Sequence, residues 1–138
     1  HNRYTLLNRQ ANEMYDYAYK KRIAIINAAP FAGGILAIGS KKGKKITYQD
    51  VAKETLAPVI KIENICEKFG IEMGAAALQF SLRDLRISST LCGVSSPESI
   101  QKNLAWAQTS IPSEFWDEVL ALPFSTDDPE ANRVYTPG

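Results

Sequence analysis

The sequence predicts an α/β protein in which strands and helices alternate along the chain. Three short runs, at residues 4–7, 23–26 and 87–92, are predicted to be strands. The continuous apolar run at residues 23–26 is typical of a sheet that is covered on both faces. Segments of helical composition or helical apolar spacing lie between these runs and after the last of them. Strands that are separated by helices in this way are typical of parallel α/β architecture.

Three strands do not complete a parallel sheet. A closed (β/α)8 barrel needs about 200 residues or more, whereas the chain has 138. A barrel would therefore require partners for both free strand edges, supplied by a preceding part of the protein or by a second copy. The chain begins HNRYTLLNR without an initiator methionine, so we expect it to be part of a longer protein.

Composition excludes several classes of function. The chain is 45% hydrophobic and 22% charged with a formal net charge of +1, so no global field attracts it to nucleic acid or to an anionic membrane. Its apolar runs are too short to cross a bilayer, and its first residues do not show the charged-then-apolar pattern that is typical of a leader peptide. Cys66 and Cys92 do not form a disulfide framework, so we expect reduced thiols in a cytoplasmic protein. Neither a metal site nor a Ser or Cys nucleophile is predicted.

The first helix is predicted over residues 13–21, because this segment ends in a basic run that suits a helix C-terminus. Residues 27–36, NAAPFAGGIL, then form a loop, since Pro30 and the pair Gly33 and Gly34 interrupt regular structure. Small residues there allow a ligand or another backbone to come close. The glycine pair matches neither a GxGxxG fingerprint nor a Walker loop, so a plain turn is the alternative.

The middle of the chain is predicted to be largely helical. Residues 38–46 form a lysine-rich loop, which is more typical of a solvated surface than of a binding arm, with local phosphate capture as the alternative. Residues 47–55 begin a short helical segment that stops before Pro58. Pro58 opens the next helix, and Gly70 lies where a C-cap is expected. A further helix follows Met73.

A strand at residues 87–92 runs through a small polar loop into a helix that begins at Pro97. Ser96 lies where an N-cap residue is expected. The backbone N–H groups of Glu98 and Ser99 are therefore expected to point, unpaired, beyond the strand end, where a helix N-terminus attracts anions and above all phosphates. An ordinary capped helix that binds nothing is the alternative.

The remaining helices are assigned from apolar spacing and from a serine. Ile100, Leu104 and Ala107 recur at the spacing of one apolar helix face. A final helix begins at Ser113. Residues 123–138 are polar and interrupted by prolines, so we expect a tail that lies on the surface or is mobile.

Four segments carry a family resemblance over nearly the whole chain. They are RYTLLNR at residues 3–9, INAAPFAGGIL at residues 26–36, AALQFSLRD at residues 76–84 and GVSSPESIQKN at residues 93–103. In this order and spacing they resemble the C-terminal part of an aldo-keto reductase, within the branch of bacterial sugar and pyridoxal dehydrogenases. The resemblance implies a (β/α)8 TIM barrel in which residues 1–122 supply strands six, seven and eight with their helices. It also implies a nicotinamide dinucleotide across the C-terminal strand ends.

The resemblance further implies which residues bind the dinucleotide. Tyr4 would lie near the strand that floors the nicotinamide, and the NAAPFAGG loop would run under the nicotinamide and along the pyrophosphate. Many relatives stack a tyrosine of this loop on the nicotinamide, where this chain has Ala28. Ser95 and Ser96 would meet the adenosine ribose or phosphate, and Asn103 would face the adenine. The implied cofactor-binding residues are Tyr4, Ala28, Pro30, Phe31, Gly33, Gly93, Ser95, Ser96, Ser99 and Asn103.

Two basic residues that this chain lacks indicate the choice between NAD and NADP. Relatives that prefer the phosphorylated cofactor usually carry arginine at the place of Ser99 and lysine near Gly93, and this chain has neither. An arginine fork recognises a 2′-phosphate well. The resemblance therefore favours NAD over NADP.

The family's chemistry uses an Asp, Tyr, Lys and His set on early strands, in which the tyrosine gives a proton to the carbonyl oxygen as hydride arrives. Those strands are not in this sequence, whose only histidine is His1. We therefore expect a full-length oxidoreductase that interconverts an aldehyde, ketone or lactol with its alcohol or lactone, and no turnover by this polypeptide alone. Phe124 or Tyr135 could line the site of its small carbonyl or sugar-like substrate if the tail folds back over it.

A non-catalytic module is the alternative. The half-barrel would then act as a nucleotide sensor or pair with itself through open strand edges. The missing acid–base residues favour this alternative. Two loops at consecutive strand ends favour the enzyme fragment, because a scaffold would not need them.

Overall fold

The computed structural model describes residues 2–43, 45–46, 49–50, 56–129 and 131. Within these residues the chain forms six α-helices and four short strands. The elements are, in chain order, α1 (Asn12–Lys20), β1 (Ile26–Ala28), a 3₁₀ turn (Ala32–Gly34), α2 (Ile35–Ile38), β2 (Lys45–Ile46), β3 (Gln49–Asp50), α3 (Ala57–Phe69), α4 (Met73–Leu82), β4 (Ser89–Leu91), α5 (Pro97–Gln108) and α6 (Ser113–Leu120).

The strands β1 and β4 form a parallel pair. Ile26 lies opposite Ser89, and Ala28 lies opposite Leu91. The parallel arrangement expected of the second and third predicted strands is confirmed. The bounds of the second strand are wrong, because β1 covers Ile26–Ala28 and shares only Ile26 with the predicted residues 23–26. Because both strands run in the same direction, their carboxyl ends meet at one edge of the sheet.

The strand predicted at residues 4–7 is wrong, so a pair of parallel strands replaces the predicted three. The backbone turns here, because the Thr5 N–H donates to the Asn8 carbonyl at 2.8 Å and the Asn8 N–H donates to the Thr5 carbonyl at 3.3 Å. The Thr5 hydroxyl oxygen also accepts from the N–H groups of Leu7 and Asn8, at 3.2 Å each. These local bonds use the groups that a sheet ladder would need.

The helical segment predicted at residues 47–55 is wrong at the two residues that are described. Gln49–Asp50 form β3, antiparallel to β2. The β-branched Ile46 and Thr47 favour an extended backbone, which competes with the helical composition of the segment. The other residues of this range lie outside the described part of the chain.

Helix α4 lies at the centre of the packing. Seven of its ten residues are buried, and it contacts α2, α3, α5 and β4. Its second residue, Gly74, makes room for α5, since a Cβ there would lie 2.3 Å from the Trp106 ring. Small residues on α4 therefore let the neighbouring helices approach closely.

The predicted apolar face of α5 is wrong. Ile100 and Leu104 are 47% and 60% exposed, whereas the buried residue of α5 is Trp106. The predicted end of α3 and the predicted start of α6 are confirmed. Helix α3 ends at Phe69 with Gly70 as its C-cap, at a φ of 66°, and α6 begins at Ser113.

The described part of the tail lies against the N-terminal segment. Ser125 forms a parallel bridge with Asn8, and its N–H donates to the Leu7 carbonyl at 2.9 Å. The side-chain amide of Asn8 donates to the Asp127 carbonyl at 2.9 Å. These contacts agree with a surface-lying tail, whereas Tyr135 is outside the described residues.

Two further expectations concern thiols and membranes. Cys66 and Cys92 are free thiols, and burial raises the pKa of Cys66 to about 12. Among the described helices, none combines the length and the apolar character that a membrane span requires. The cytoplasmic location stays a prediction.

Candidate functional site

A pocket of about 490 Å³ lies at the carboxyl ends of β1 and β4. Four of the predicted cofactor-binding residues line it: Ala28, Phe31, Gly33 and Gly93. The remaining lining residues are Ala29, Gly34, Leu91 and Cys92. In α/β folds, ligands bind outside the carboxyl ends of the strands, so the pocket lies where a ligand site is expected.

The loop after β1 has an unusual backbone. Ala29 and Ala32 have φ values of 58° and 49°, and Gly33 and Gly34 follow at 72° and 100°. A left-handed conformation is costly for a residue with a Cβ, and residues that adopt it are often found at functional sites. The two glycines adopt it without that cost.

Two side chains fix this loop to the core. Pro30 is fully buried. The Phe31 ring meets the Trp106 ring edge-on, with 5.6 Å between centroids. Phe31 therefore lines the pocket and also anchors its loop on α5. Cys92, on the opposite loop, is half-buried, and burial raises the pKa of its thiol, so it is not an activated nucleophile.

The predicted residues of the second loop lie at the start of α5 and do not line the pocket. Ser95 is exposed, and Ser96, Ser99 and Asn103 are partly exposed. Their placement beside Gly93 follows from the strand, loop and helix order that the sequence predicted.

The expectation of an unpaired Ser99 N–H is wrong, because Ser96 and Ser99 form a capping box. The Ser99 N–H donates to the Ser96 hydroxyl oxygen at 3.3 Å. The Ser99 hydroxyl oxygen accepts from the N–H groups of Ser95 at 3.2 Å and Ser96 at 3.0 Å. The helix start therefore satisfies these donors with its own side chains.

Glu98 adds a negative charge at the same place. A hydrogen bond from its own backbone N–H, followed by one from the Ser96 hydroxyl, lowers the pKa of the exposed Glu98 carboxyl. A carboxylate is favourable at a helix N-terminus. An anionic ligand at the start of α5 would meet this charge.

The Tyr4 side chain is not brought to the pocket. Its ring lies 4.7 Å from that of Tyr15 and 5.0 Å from that of Phe80, centroid to centroid. Its hydroxyl donates to Asp84 Oδ2 at 2.5 Å and accepts from Arg86 Nη2 at 2.8 Å. Burial, reinforced by Asp84, raises the pKa of Tyr4 to about 12.

On the helix side of the strands lies a buried polar network that the sequence did not predict. Asn27 donates from Nδ2 to the Tyr4 carbonyl at 3.1 Å and to Ser81 Oγ at 2.8 Å. Its Oδ1 accepts from the Tyr15 hydroxyl at 2.9 Å. Ser81 Oγ is 2.7 Å from Thr90 Oγ1. A lone asparagine after the apolar run of residues 23–26 was the signal that could have revealed it.

Asp84 and Arg86 form an ion pair beside this network. Arg86 Nη2 is 2.7 Å from Asp84 Oδ2, and Arg86 Nη1 is 2.7 Å from Asp16 Oδ1. Burial raises the pKa of Asp84, but hydrogen bonds from Arg86 and Tyr4 outweigh this and lower it to about 2. The pair ties α1 to the segment between α4 and β4.

Known proteins are similar to this chain in sequence and in fold. The Aldo/keto reductase family model matches residues 1–122. The chain is 39% identical over 115 residues to pyridoxal 4-dehydrogenase of Microbacterium luteolum, covering 83% of this chain and 34% of that protein. It is 29% identical over 119 residues to D-threo-aldose 1-dehydrogenase of Pseudomonas sp, covering 85% of this chain and 36% of that protein.

Solved structures agree in fold. The apo form of aldo-keto reductase AKR11C1 from Bacillus halodurans superposes with a TM-score of 0.66 at 16% identity, over 94% of this chain and 44% of that chain. Its holo form superposes with the same TM-score over 43% of that chain. The chain spans about a third of the length of the curated relatives it matches. Since the family model covers most of the sequence, the chain belongs to the aldo/keto reductase family.

Proposed function

We propose that this chain supplies the dinucleotide-binding part of an NAD(P)-dependent oxidoreductase. The pocket at the carboxyl ends of β1 and β4 carries this proposal, because loops from two neighbouring parallel strands line it. Family membership supports it. We further propose that β1 and β4 correspond to strands seven and eight of a (β/α)8 barrel. Residues 4–7 would then lie directly after strand six.

The residues around the pocket fit a dinucleotide. No atom lies within 4 Å of the place where a Cβ would stand on Gly34 or Gly93, so open backbone borders the pocket on both loops. Phe31 and Leu91 give it apolar walls, and its volume is in the range of small-molecule sites. A bound nicotinamide would supply or accept the hydride, and the residues of this chain would hold and orient it.

We propose NAD as the preferred cofactor. The ionised Glu98 lies next to Ser99, where the family resemblance places the arginine of relatives that bind the phosphorylated form. A 2′-phosphate there would meet a like charge and no guanidinium fork. The charge at Glu98 thus supports the choice that the sequence favoured.

The reaction is proposed for the longer protein. The names of the two dehydrogenase relatives support the interconversion of an aldehyde, ketone or lactol with an alcohol or lactone. The acid–base residues are proposed to lie on strands that precede this chain. The 138-residue chain is therefore expected to bind the cofactor without turning over a substrate.

Titration of the 138-residue chain with NADH tests the proposal. Trp106 contacts Phe31 at the pocket, so energy transfer from tryptophan to bound NADH should rise to saturation, with weaker binding of NADPH. A Gly93→Leu variant should lose binding, because the leucine side chain would occupy the pocket. An Ala107→Leu variant, which adds the same side chain at an exposed position of α5, should bind as the wild type. Absence of saturable binding, or unchanged binding by Gly93→Leu, would contradict the proposal.

A self-associating module remains a second candidate. Ile26 and Leu91 are 67% and 62% exposed, and β1 and β4 have no further sheet neighbour among the described strands. Exposed apolar side chains on one face of the strand pair, together with its free edges, favour pairing with another copy. Sedimentation equilibrium should show dimers that a Leu91→Lys variant dissociates, and a monomeric wild-type chain would dismiss this candidate.

A further inference from the structure

A second pocket, of about 290 Å³, lies between the N-terminal segment, the end of α4 and the tail. It shares no lining residue with the pocket at the strand ends. We propose that this second pocket binds a small organic oxyanion, a carboxylate or a phosphate ester, through the guanidinium groups of Arg9 and Arg83. Its lining residues are Tyr4, Arg9, Asn12, Phe80, Arg83, Asp84, Leu120 and Phe124.

Arg9 is a half-buried cation that forms no ion pair with a carboxylate of the described residues. Its guanidinium lies 4.0 Å from the centroid of the Phe124 ring and 5.4 Å from that of Phe80. Its Nε is buried and has no hydrogen-bond partner among the described residues, and none of their ion pairs includes Arg9. Arginine is rarely buried unless it is paired. Stacking on rings uses the faces of the guanidinium and leaves its edge N–H groups for a planar anion.

Arg83 supplies the second cation. Its guanidinium lies 4.4 Å from the centroid of the Trp116 ring. Within the described part of the chain, no carboxylate forms an ion pair with it either. Two stacked guanidinium groups on one pocket can offer two forks to the same oxyanion.

Asp84 also lines this pocket, but its charge is already compensated. Its Oδ1 accepts from Arg86 Nε at 3.0 Å, and its Oδ2 accepts from Arg86 Nη2 at 2.7 Å and from the Tyr4 hydroxyl at 2.5 Å. Asp84 therefore does not neutralise Arg9 or Arg83. The pocket keeps a positive balance.

The other walls indicate the rest of the ligand. Asn12 accepts from Arg86 Nη1 through Oδ1 at 2.9 Å, which leaves its Nδ2 as a further donor. Phe80, Leu120 and Phe124 form an apolar surface beside these polar groups. The volume is at the small end for ligand sites. An oxyanion attached to a single flat ring matches this combination.

Calorimetric titration of the 138-residue chain with benzoate and with phenyl phosphate tests the proposal. The two probes share a ring and differ in the anionic group, so the tighter one identifies the class of ligand. Benzyl alcohol, which has the ring without the charge, should not bind. Failure of both anions to bind saturably would overturn the proposal, and so would binding of the alcohol as tight as that of the anions.

Variants locate the binding. Arg83→Gln removes an exposed guanidinium and should weaken binding by about tenfold or more. Lys61→Gln removes one positive charge at an exposed position of α3 and should leave binding unchanged. Gly93→Leu, which fills the other pocket, should also leave it unchanged. An Arg83→Gln chain that binds as the wild type, or loss of binding in Gly93→Leu, would overturn the proposal.

Discussion

The two faces of the β1 and β4 pair differ in chemistry. On the face toward the helices, Asn27 is 1% exposed and its amide is hydrogen-bonded on both sides. On the opposite face, Ile26 and Leu91 are 67% and 62% exposed. Neighbouring residues of a strand point to opposite faces, so one residue along the chain separates a buried polar group from an exposed apolar one.

This difference separates the source of stability from the surface available for binding. Buried hydrogen bonds to α1 and α4 hold the strands in register from the helix side, since a buried polar group is costly to leave unpaired. The side chains on the open face contribute little to holding the strands in register. Ala28 and Leu91 on this face line the pocket at the strand ends, whereas a further strand would pair at a free edge of β1 or β4.

Replacing Asn27 by alanine should have the largest effect on stability. The change removes bonds to Ser81 and Tyr15 and to the Tyr4 carbonyl, and it leaves these buried groups unpaired. Each such group costs about 1–3 kcal/mol, and partial rearrangement limits the total, so we expect a loss of about 2–4 kcal/mol. The free energy of unfolding from urea denaturation, followed by circular dichroism, measures it.

The matched control is the preceding residue, on the open face. Ile26→Ser should change the free energy of unfolding by about 0.5 kcal/mol or less, because the side chain is already in solvent. A comparable loss in both variants would show that the two faces contribute alike.

A glycine pair provides the next test. Gly74→Ala should destabilise the chain by about 1–3 kcal/mol, because its Cβ would lie 2.3–2.5 Å from three atoms of the Trp106 ring. Gly93→Ala, beside the pocket, meets no atom within 4 Å and should leave the melting temperature unchanged. Thermal unfolding of both variants decides, and a stable Gly74→Ala chain would contradict the close packing of α4 and α5.

Capping was predictable from sequence because it depends on neighbours along the chain. Ser96 and Pro97 were sufficient to place the start of α5, and Gly70 was sufficient to end α3. The buried face of α5 was not predictable in this way. Ile100 has the right spacing, but Trp106 is buried instead because a glycine on α4 opens space for it.

The same distinction, between neighbours along the chain and distant contacts, applies to the candidate site. Ala28, Phe31, Gly33 and Gly93, which are predicted to bind the cofactor, line one pocket, because parallel strands bring consecutive loops to one edge. Tyr4 does not line this pocket, because a partner distant in sequence determines where its side chain lies. The Tyr4 hydroxyl donates to Asp84, 80 positions away, and no pattern of neighbouring residues predicts such a contact.

Acid should weaken the helix-side contacts. The folded pKa of Asp84 is about 2, below the value of about 3.9 for an unfolded aspartate. The ionised form therefore stabilises the fold above about pH 4, and this stabilisation is lost as the pH falls from about 4 toward 2. We expect about 1–2 kcal/mol, less than the full shift, because the Asp84 and Arg86 side chains are 12% and 19% exposed.

Denaturation of the wild type and of Asp84→Asn between pH 2 and 6 measures this contribution. The difference in free energy of unfolding between the two chains should shrink as the pH falls. A difference that stays constant over this range would show that the carboxylate is not selectively stabilised by Arg86 and Tyr4.

The smallest effect is expected at the start of α5, where the exposed Glu98 carboxylate should affect the preference between NAD and NADP. Removing the Glu98 carboxylate with Glu98→Gln should lower the ratio of the Kd for NADPH to that for NADH by about two- to fivefold, since a 2′-phosphate no longer meets a like charge in water. The change should fade in 0.5 M NaCl, because salt screens exposed charges. Glu114→Gln removes an equivalent exposed carboxylate from the first turn of α6 and should leave the ratio unchanged. If the ratio does not move in Glu98→Gln, or moves equally in both variants, the start of α5 does not contact the adenosine end of the cofactor.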